Sequence, residues 1–261
     1  GRYPIIGYKK DGKTPIIDPK SGYTEGTFED LTHPIDGSTR NTNSMYIDRE
    51  PRFYASVCWS GETWKFGTDE INVQFYYGGN SGPGSSHNYP KPGYLIRKMS
   101  DHSLNIKNKE YGRFSWPLFR LGEIYLNYAE ALNECDPGNT DILKYINLIR
   151  ERSGMPALET IYPQDVKDQN TMRELIRRER QVELAFEGHR YFDTRTWMIA
   201  EKTDNGPMYG MNIMAKNDTP DGGFWERTEF ETRIFTSKHY LFPISQKVLD
   251  RNKKLTQNYL W

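Results

Sequence analysis

"ELIRRERQVELAFEGHRYFDTRTW", residues 174–197, is the stretch on which the fold turns. Met172, Leu175, Ile176, Val182 and Phe186 recur at helical spacing, which predicts an amphipathic helix over about 171–187. Thr171 stands where an N-cap would, with Glu174 three residues on, the spacing of a capping box. Gly188 ends the helix, and a shorter one is expected to run to about Ala200. Glu179 falls inside the apolar stripe and Glu183 on its edge, one turn apart. A carboxylate buried without a partner costs several kcal/mol, so Glu179 must find arginines or hydrogen-bond donors. Arg120, Arg150 and Arg190 are the candidates on adjoining helices, and guanidinium offers the bidentate geometry required. The rival reading is a glycosidase acid/base pair, whose carboxyl groups stand roughly 5–9 Å apart across an open cleft. Glutamates at i and i+4 reach that spacing. Here they sit where a helix meets its neighbours, and the structural reading is preferred.

Two further helices precede this one. In "PLFRLGEIYLNYAEALNE" (117–134), Leu121, Ile124, Tyr125, Tyr128, Ala131 and Leu132 form one stripe, with Pro117 suited to a first turn and "DPG" (136–138) as a stop. "DILKYINLIRERSG" (141–154) places Ile142, Tyr145, Ile146 and Ile149 on one face and stops at Gly154. Two amphipathic helices joined by a short turn form a hairpin that must stack on further helices, as one unit of a tetratricopeptide-like superhelix does. One unit does not establish a repeat.

The chain accordingly divides by texture. Residues 1–116 are rich in Gly, Pro, Asn, Ser and Tyr, with short strands expected at "RFYASVCW" (52–59) and "INVQFYY" (71–77). Residues 117–201 are a helical scaffold. Residues 202–261 return to loops, with a short strand, a turn after Pro243 and a short terminal helix capped by Ser245. The fold class expected is mainly α, with tetratricopeptide-like hairpins, long irregular loops and a few short strands.

Composition excludes several functions. The formal charge is zero, with 35 acidic and 35 basic residues and no basic run, so no nucleic-acid partner is indicated. No apolar stretch reaches the roughly 20 residues of a membrane span. Cys58 and Cys135 are too few for a disulfide framework and read as free thiols. His33, His87, His102, His189 and His239 lack i, i+4 partners, and neither H-E-x-x-H, G-x-S-x-G nor a phosphate-binding loop is present. "NDTPDGG" (217–223) sets Asn217, Thr219, Asp221 and Gly222 in a faintly calcium-loop order, but Thr228 stands where the bidentate glutamate is needed. No cofactor or metal is expected. The chain opens at "GRYPIIGYKK" without an initiator methionine, which suggests a processed or truncated piece whose targeting signal is out of view.

Aromatic residues make up 14% of the chain, with 18 tyrosines and 6 tryptophans; core packing should cover most of them, but rings are also what proteins stack on sugars and other ligands. The stretch "FYYGGNSGPGSSHNYP" (75–90) sets Tyr76, Tyr77 and Tyr89 beside Asn80, Ser85, Ser86, His87 and Asn88. Flat rings stack on the CH faces of a sugar while amides and hydroxyls bond its hydroxyl groups. The candidate ligand residues are therefore Tyr76, Tyr77, Asn80 and Tyr89, with Tyr8, Tyr23 and Asp36 added from the N-terminal loops on their character alone. A flexible surface loop is the competing reading.

"DREPRFYASVCWSGETW" (48–64), "PLFRLGEIYLNYAEALNE", "INLIRERSGMP" (146–156), "ELIRRERQVELAFEGHRYFDTRTW" and "LFPISQKVLDRNKKLTQN" (241–258) follow one another as the signature blocks of the SusD/RagB family do. The chain resembles the C-terminal half of a member, 1–261 throughout; the tail "QNYLW" departs from the usual ending. The resemblance implies a cell-surface lipoprotein of Bacteroidetes-type outer membranes, anchored through an N-terminal half that lies outside this chain. It implies a non-catalytic protein that binds nutrient oligo- or polysaccharides, in some members peptides, and works with a SusC-like TonB-dependent transporter. It also assigns Glu179 and Glu183 to the scaffold. The alternatives are a peptide-binding member of the family, an interaction module that binds no glycan, and a glycoside hydrolase.

Overall fold

The computed structural model describes residues 5–8, 15–17, 26–35, 37–85, 87–101, 103–105, 108–112 and 116–261. In chain order the elements are β1 (Ile5–Tyr8), β2 (Pro15–Ile17), β3 (Phe28–Thr32), β4 (Thr39–Asn43), α1 (Pro51–Ser56), β5 (Val57–Trp59), β6 (Thr63–Phe66), β7 (Asp69–Asn72) and β8 (Tyr94–Ile96). The helical part holds α2 (Leu121–Cys135), α3 (Thr140–Arg152), α4 (Leu158–Ile161), α5 (Gln169–Glu183), α6 (His189–Thr196) and α7 (Ala200–Thr203). β9 (Gly206–Met211), β10 (Arg227–Arg233) and α8 (Gln246–Arg251) follow. Helices carry the scaffold, and the strands pair only in antiparallel twos: β1–β2, β3–β4, β5–β8, β6–β7 and β9–β10.

The decisive stretch is a helix, displaced slightly from its expected bounds. Asp168, not Thr171, caps α5, its carboxylate accepting from the N–H groups of Asn170 (3.1 Å) and Thr171 (3.0 Å). The buried face of α5 is Met172, Leu175, Ile176, Glu179, Arg180 and Glu183, a regular i, i+3, i+4 stripe whose second half is charged. Phe186 does not join that face: the helix has already ended, its φ is +65°, and the side chain is 47% exposed. Leu184 is buried instead.

α3 buries Ile142, Ile146 and Ile149 as the periodicity predicts. α2 begins at Leu121 rather than near Pro117, and its inner face is Leu126 and Ala129. Of the expected stripe, Tyr125 and Leu132 are half-buried, whereas Leu121, Ile124 and Tyr128 are exposed. The helix is apolar on more than one side, and α3 and α5 meet it through the smaller face. Asn133 Nδ2 donates to the Gln169 carbonyl and Gln169 Nε2 to the Asn133 carbonyl, which ties the end of α2 to the start of α5. Ala129, Ile142, Ile146, Leu158, Met172, Leu175 and Ile176 form the resulting helical core.

"RFYASVCW" is not a strand throughout. Pro51 occupies the first helical position, where its fixed φ suits a helix, and 51–56 make one short helix before the chain extends at Val57. Tyr54 is thereby turned inward, its hydroxyl donating to the Tyr46 carbonyl (2.6 Å), beside Trp59, Tyr46 and Leu31. The strand expected at 71–77 stops at Asn72. The loop expected after Ala200 is instead the β9–β10 pair, and the tail strand is not found: Ser237–Tyr240 form a 3-10 turn, followed by α8. Gly210 of β9 lies against Pro92, where a Cβ would stand 2.5 Å from the Pro92 carbonyl oxygen. Only glycine permits that approach.

Candidate functional site

Glu179 and Glu183 project from the last turns of α5 into cations drawn from several elements. Arg52 of α1 donates through Nη1 to Glu179 (2.7 Å) and to Glu183 (3.0 Å), and through Nε and Nη2 to Glu50 (both 3.1 Å). Arg150 of α3 reaches Glu179 at 2.8 Å. Arg120, at the start of α2, and Arg152 of α3 both reach Glu183 at 2.5 Å. Arg120 and Lys98 then hold Glu187 at 2.6 and 2.5 Å. Arg190 is not among these partners, and Arg52, Arg152 and Lys98 were not anticipated.

This arrangement opposes acid/base catalysis. A single guanidinium nitrogen stands between the two carboxylates, where a glycosidic oxygen would have to sit. Burial alone would raise the Glu183 carboxyl, but hydrogen bonds from Arg120, Arg52 and Arg152 outweigh it and hold the group below the usual glutamate range. A general acid needs the opposite shift. The cavity beside Glu179 is about 90 Å³, below the roughly 300 Å³ at which ligand pockets begin. A larger cleft of about 300 Å³ borders Glu183, yet its polar wall is Lys98, Arg120 and Arg152, already bonded to Glu183 and Glu187.

The aromatic stretch is built differently. Residues 74–85 fold on themselves: the N–H of Ser81 donates to the Gln74 carbonyl (3.0 Å), that of Gly79 to Tyr76 (3.0 Å) and that of Gly78 to Pro83 (2.7 Å). Gly82 lies so close that a Cβ there would meet the Tyr76 carbonyl oxygen at 1.9 Å. Two backbone bonds pin the excursion to one segment of the C-terminal hairpin, Tyr77 N–H to the Ala215 carbonyl (2.8 Å) and Met211 N–H to the Pro92 carbonyl (3.0 Å). Val73 and Phe75 are buried with Met211 and Phe224 beneath it. It is a braced loop, not a loose one.

On this loop Tyr77 and Tyr89 are exposed and Tyr76 is half-buried. Among the described residues none of their three hydroxyls makes a hydrogen bond. Tyr77 lies against Gly84, whose Cβ position is 3.3 Å from Cζ of the ring. Asn80 is exposed, but its side chain serves the loop: Oδ1 accepts from Gln74 N–H (3.0 Å) and Ser81 Oγ (3.2 Å), and Nδ2 donates to the Asn72 carbonyl (2.8 Å). Tyr8 belongs to β1, and nothing of its side chain is described; Tyr23 and Asp36 lie outside the described residues. In the 217–223 segment, Asn217 Oδ1 accepts from the backbone N–H (3.3 Å) and hydroxyl (2.6 Å) of Thr219. The described residues hold no group of three or more His, Cys, Asp or Glu placed to bind a metal, and none of their helices is long and apolar enough to cross a membrane.

A family model of the SusD family matches residues 7–261. The chain belongs to the SusD family. Among its relatives, SusD-like protein P2 of Formosa agariphila is 28% identical over 142 residues, 53% of this chain and 24% of that protein. The crystal structure of a SusD-like protein from Bacteroides fragilis superposes with a TM-score of 0.71 at 29% identity, covering 95% of this chain and 44% of that one. A SusD-like carbohydrate binding protein from the same organism shares the fold at 24% identity and a TM-score of 0.61, over 95% of this chain and 46% of that one. This SusD-family chain thus spans half or less of the length of the relatives it matches. Of the five stretches that carry the family resemblance, four hold every member of the carboxylate network except Lys98, and none includes the aromatic loop.

Proposed function

We propose that this SusD-family chain is the ligand-facing part of a non-catalytic, cell-surface glycan-binding protein that delivers oligosaccharides to a SusC-like TonB-dependent transporter. One observation carries the reading: a braced loop presents Tyr77 and Tyr89 at the surface beside the half-buried Tyr76, whose ring packs partly on the Phe75 and Met211 cluster, and among the described residues none of the three hydroxyls is bonded. Rings held in place lose little entropy on stacking against a sugar, and free phenols supply directional bonds. Tyr76, Tyr77 and Tyr89 are the contact residues, and Asn80 holds the loop in shape. Tyr8, Tyr23 and Asp36 stand as further contacts from the N-terminal loops. The charge-neutralised interior supports a binding protein over a hydrolase, since guanidinium groups occupy both Glu179 and Glu183 and hold the Glu183 carboxyl below the usual glutamate range.

The α2–α3 hairpin is one unit of a tetratricopeptide-like scaffold, completed by helices in the rest of the protein. Residues 1–116 face the ligand, 117–201 form the scaffold, and 202–261 brace the loops from behind. A lipid anchor on the protein's N-terminal side holds it to the outer membrane beside its barrel. The test is a glycan array on the full-length protein, followed by Tyr77→Ala and by a Tyr76→Ala, Tyr77→Ala double variant. Saccharide binding that disappears while the unfolding midpoint stays constant supports the reading. An array without any saccharide bound, or unaltered binding by the double variant, refutes it. Co-purification of a β-barrel with the tagged full-length protein tests the delivery partner.

A further inference from the structure

The segment between β9 and β10 stands against the aromatic loop and carries a carboxylate that pairs with no cation among the described residues. Ser60 Oγ donates to Asp218 Oδ2 (2.7 Å) and accepts from the Phe75 N–H (3.2 Å), so Asp218 is clamped to the stem of the aromatic loop. Trp225 Nε1 donates to the Asp218 carbonyl (2.9 Å), and Ala215 holds Tyr77 through its carbonyl (2.8 Å). The Asp218 side chain is half-buried. Among the described residues its Oδ1 accepts no hydrogen bond and no cation pairs with it, whereas the more deeply sheltered Glu50, Glu187 and Asp193 all have arginine partners. Its charge reaches the neighbouring ring: Tyr76's phenol is held above its ordinary value, by burial first and by Asp218 second.

We infer that the 212–223 segment is the second wall of the saccharide site, and that Asp218 accepts hydrogen bonds from sugar hydroxyls, so that the site takes neutral and excludes acidic saccharides. This rests on the glycan-binding reading above. A carboxylate with one oxygen fixed by Ser60 and the other open is an oriented acceptor. Hydrogen bonds from a hydroxyl to a carboxylate are about twice as strong as neutral ones. The same charge disfavours a uronate or sulfate nearby, because two anions in a half-sheltered site repel and neither is compensated.

The full-length protein is titrated with neutral malto-, cello-, manno- and xylo-oligosaccharides and with oligogalacturonate and a sulfated galactan, at low and high ionic strength. Binding confined to neutral members, with any acidic binding strengthened by salt, is the expected result. Asp218→Asn is expected to weaken the neutral complex about tenfold or more, as loss of a charge-assisted bond does, and to raise the ratio of acidic to neutral affinity. That ratio would not move if Asp218 merely supported the fold; Asp218→Glu, which keeps the charge, retains the exclusion. Preference for an acidic saccharide, or an unchanged ratio in Asp218→Asn, overturns the inference. If Tyr77→Ala abolishes binding while Asp218→Asn does not alter it, the glycan reading survives and only this inference falls. If no saccharide binds the wild-type protein, both fall.

Discussion

Glu179→Gln removes one carboxylate while preserving side-chain shape, so its effect isolates the charge. Glu179 is 5% exposed and bonded to Arg52 and Arg150. Arg52 keeps Glu50 and Glu183 after the change, so it stays neutralised. Arg150 does not. It is 6% exposed, and its remaining bond runs from Nε to the Pro156 carbonyl at 2.8 Å. A buried guanidinium stripped of its carboxylate costs about 3–5 kcal/mol, which at roughly 2–4 °C per kcal/mol lowers the unfolding midpoint by about 10 °C. Urea denaturation of the full-length protein should show a reduced midpoint at an unchanged slope. The double variant Glu179→Leu, Arg150→Met removes both charges and should recover most of the loss, giving a coupling of about 2 kcal/mol or more. Glu174→Gln, on the exposed side of the same helix in an i, i+3 pair with Arg177, is the control and should shift stability by less than about 0.5 kcal/mol. A loss below about 1 kcal/mol for Glu179→Gln, or a double variant no better than the sum of its parts, refutes the reasoning. So does a glycosidase activity that vanishes in Glu179→Gln while stability is unaltered.

Acid should destabilise the protein through the same cluster. Glu183 and Glu187 are held below the ordinary glutamate value, burial opposing and arginine and lysine bonds prevailing. Their stabilisation is present above about pH 4.3, the unfolded value, and is lost as pH falls through the lower folded values; urea midpoints measured between neutral pH and pH 3 should fall across that window, and less so in Glu183→Gln. Gly82→Ala places a methyl on the Tyr76 carbonyl, so the loop must open; saccharide affinity should drop sharply, with a stability loss of roughly 1–3 kcal/mol. Cys135 is exposed, whereas Cys58 is buried and its thiol is pushed up by that burial. Iodoacetamide should therefore label Cys135 in the native protein and reach Cys58 only on unfolding.

How far the sequence could be read follows from the range of the interactions. Periodicity found α3 and α5, because a helix declares its buried face within a few residues. It also set Glu179 inside the stripe; of the arginines expected beside it, Arg150 pairs with it, whereas Arg120 pairs with Glu183 and Glu187 instead. Arg52 escaped, since it arrives from 127 residues away on a segment whose alternation suggested a strand. Pro51 at a first helical position was the available signal. α2 misled because two of its faces are apolar, and periodicity does not tell which one meets α3 and α5. The β9–β10 pair was missed because a 212–226 connection replaces the two-residue turn that marks a hairpin locally. Asn80 illustrates the limit for a site: its amide looks the same in sequence whether it faces a ligand or, as here, the backbone of its own loop.

The two polar regions of the molecule obey opposite rules. Around α5, every carboxylate of the buried cluster is matched by guanidinium or ammonium, because a sheltered charge left unmatched would unfold the scaffold. At the aromatic loop the backbone is just as well satisfied, yet three phenol hydroxyls and one oxygen of Asp218 are left without partners among the described residues, at positions where water reaches them. Leaving such groups open there costs little, because solvent bonds them until a ligand replaces it. A stabilising interior closes its hydrogen bonds, whereas a recognition surface braces its backbone and keeps its side chains in reserve. By that criterion the acidic pair belongs to the architecture, and the tyrosines with Asp218 are the groups we propose for the ligand.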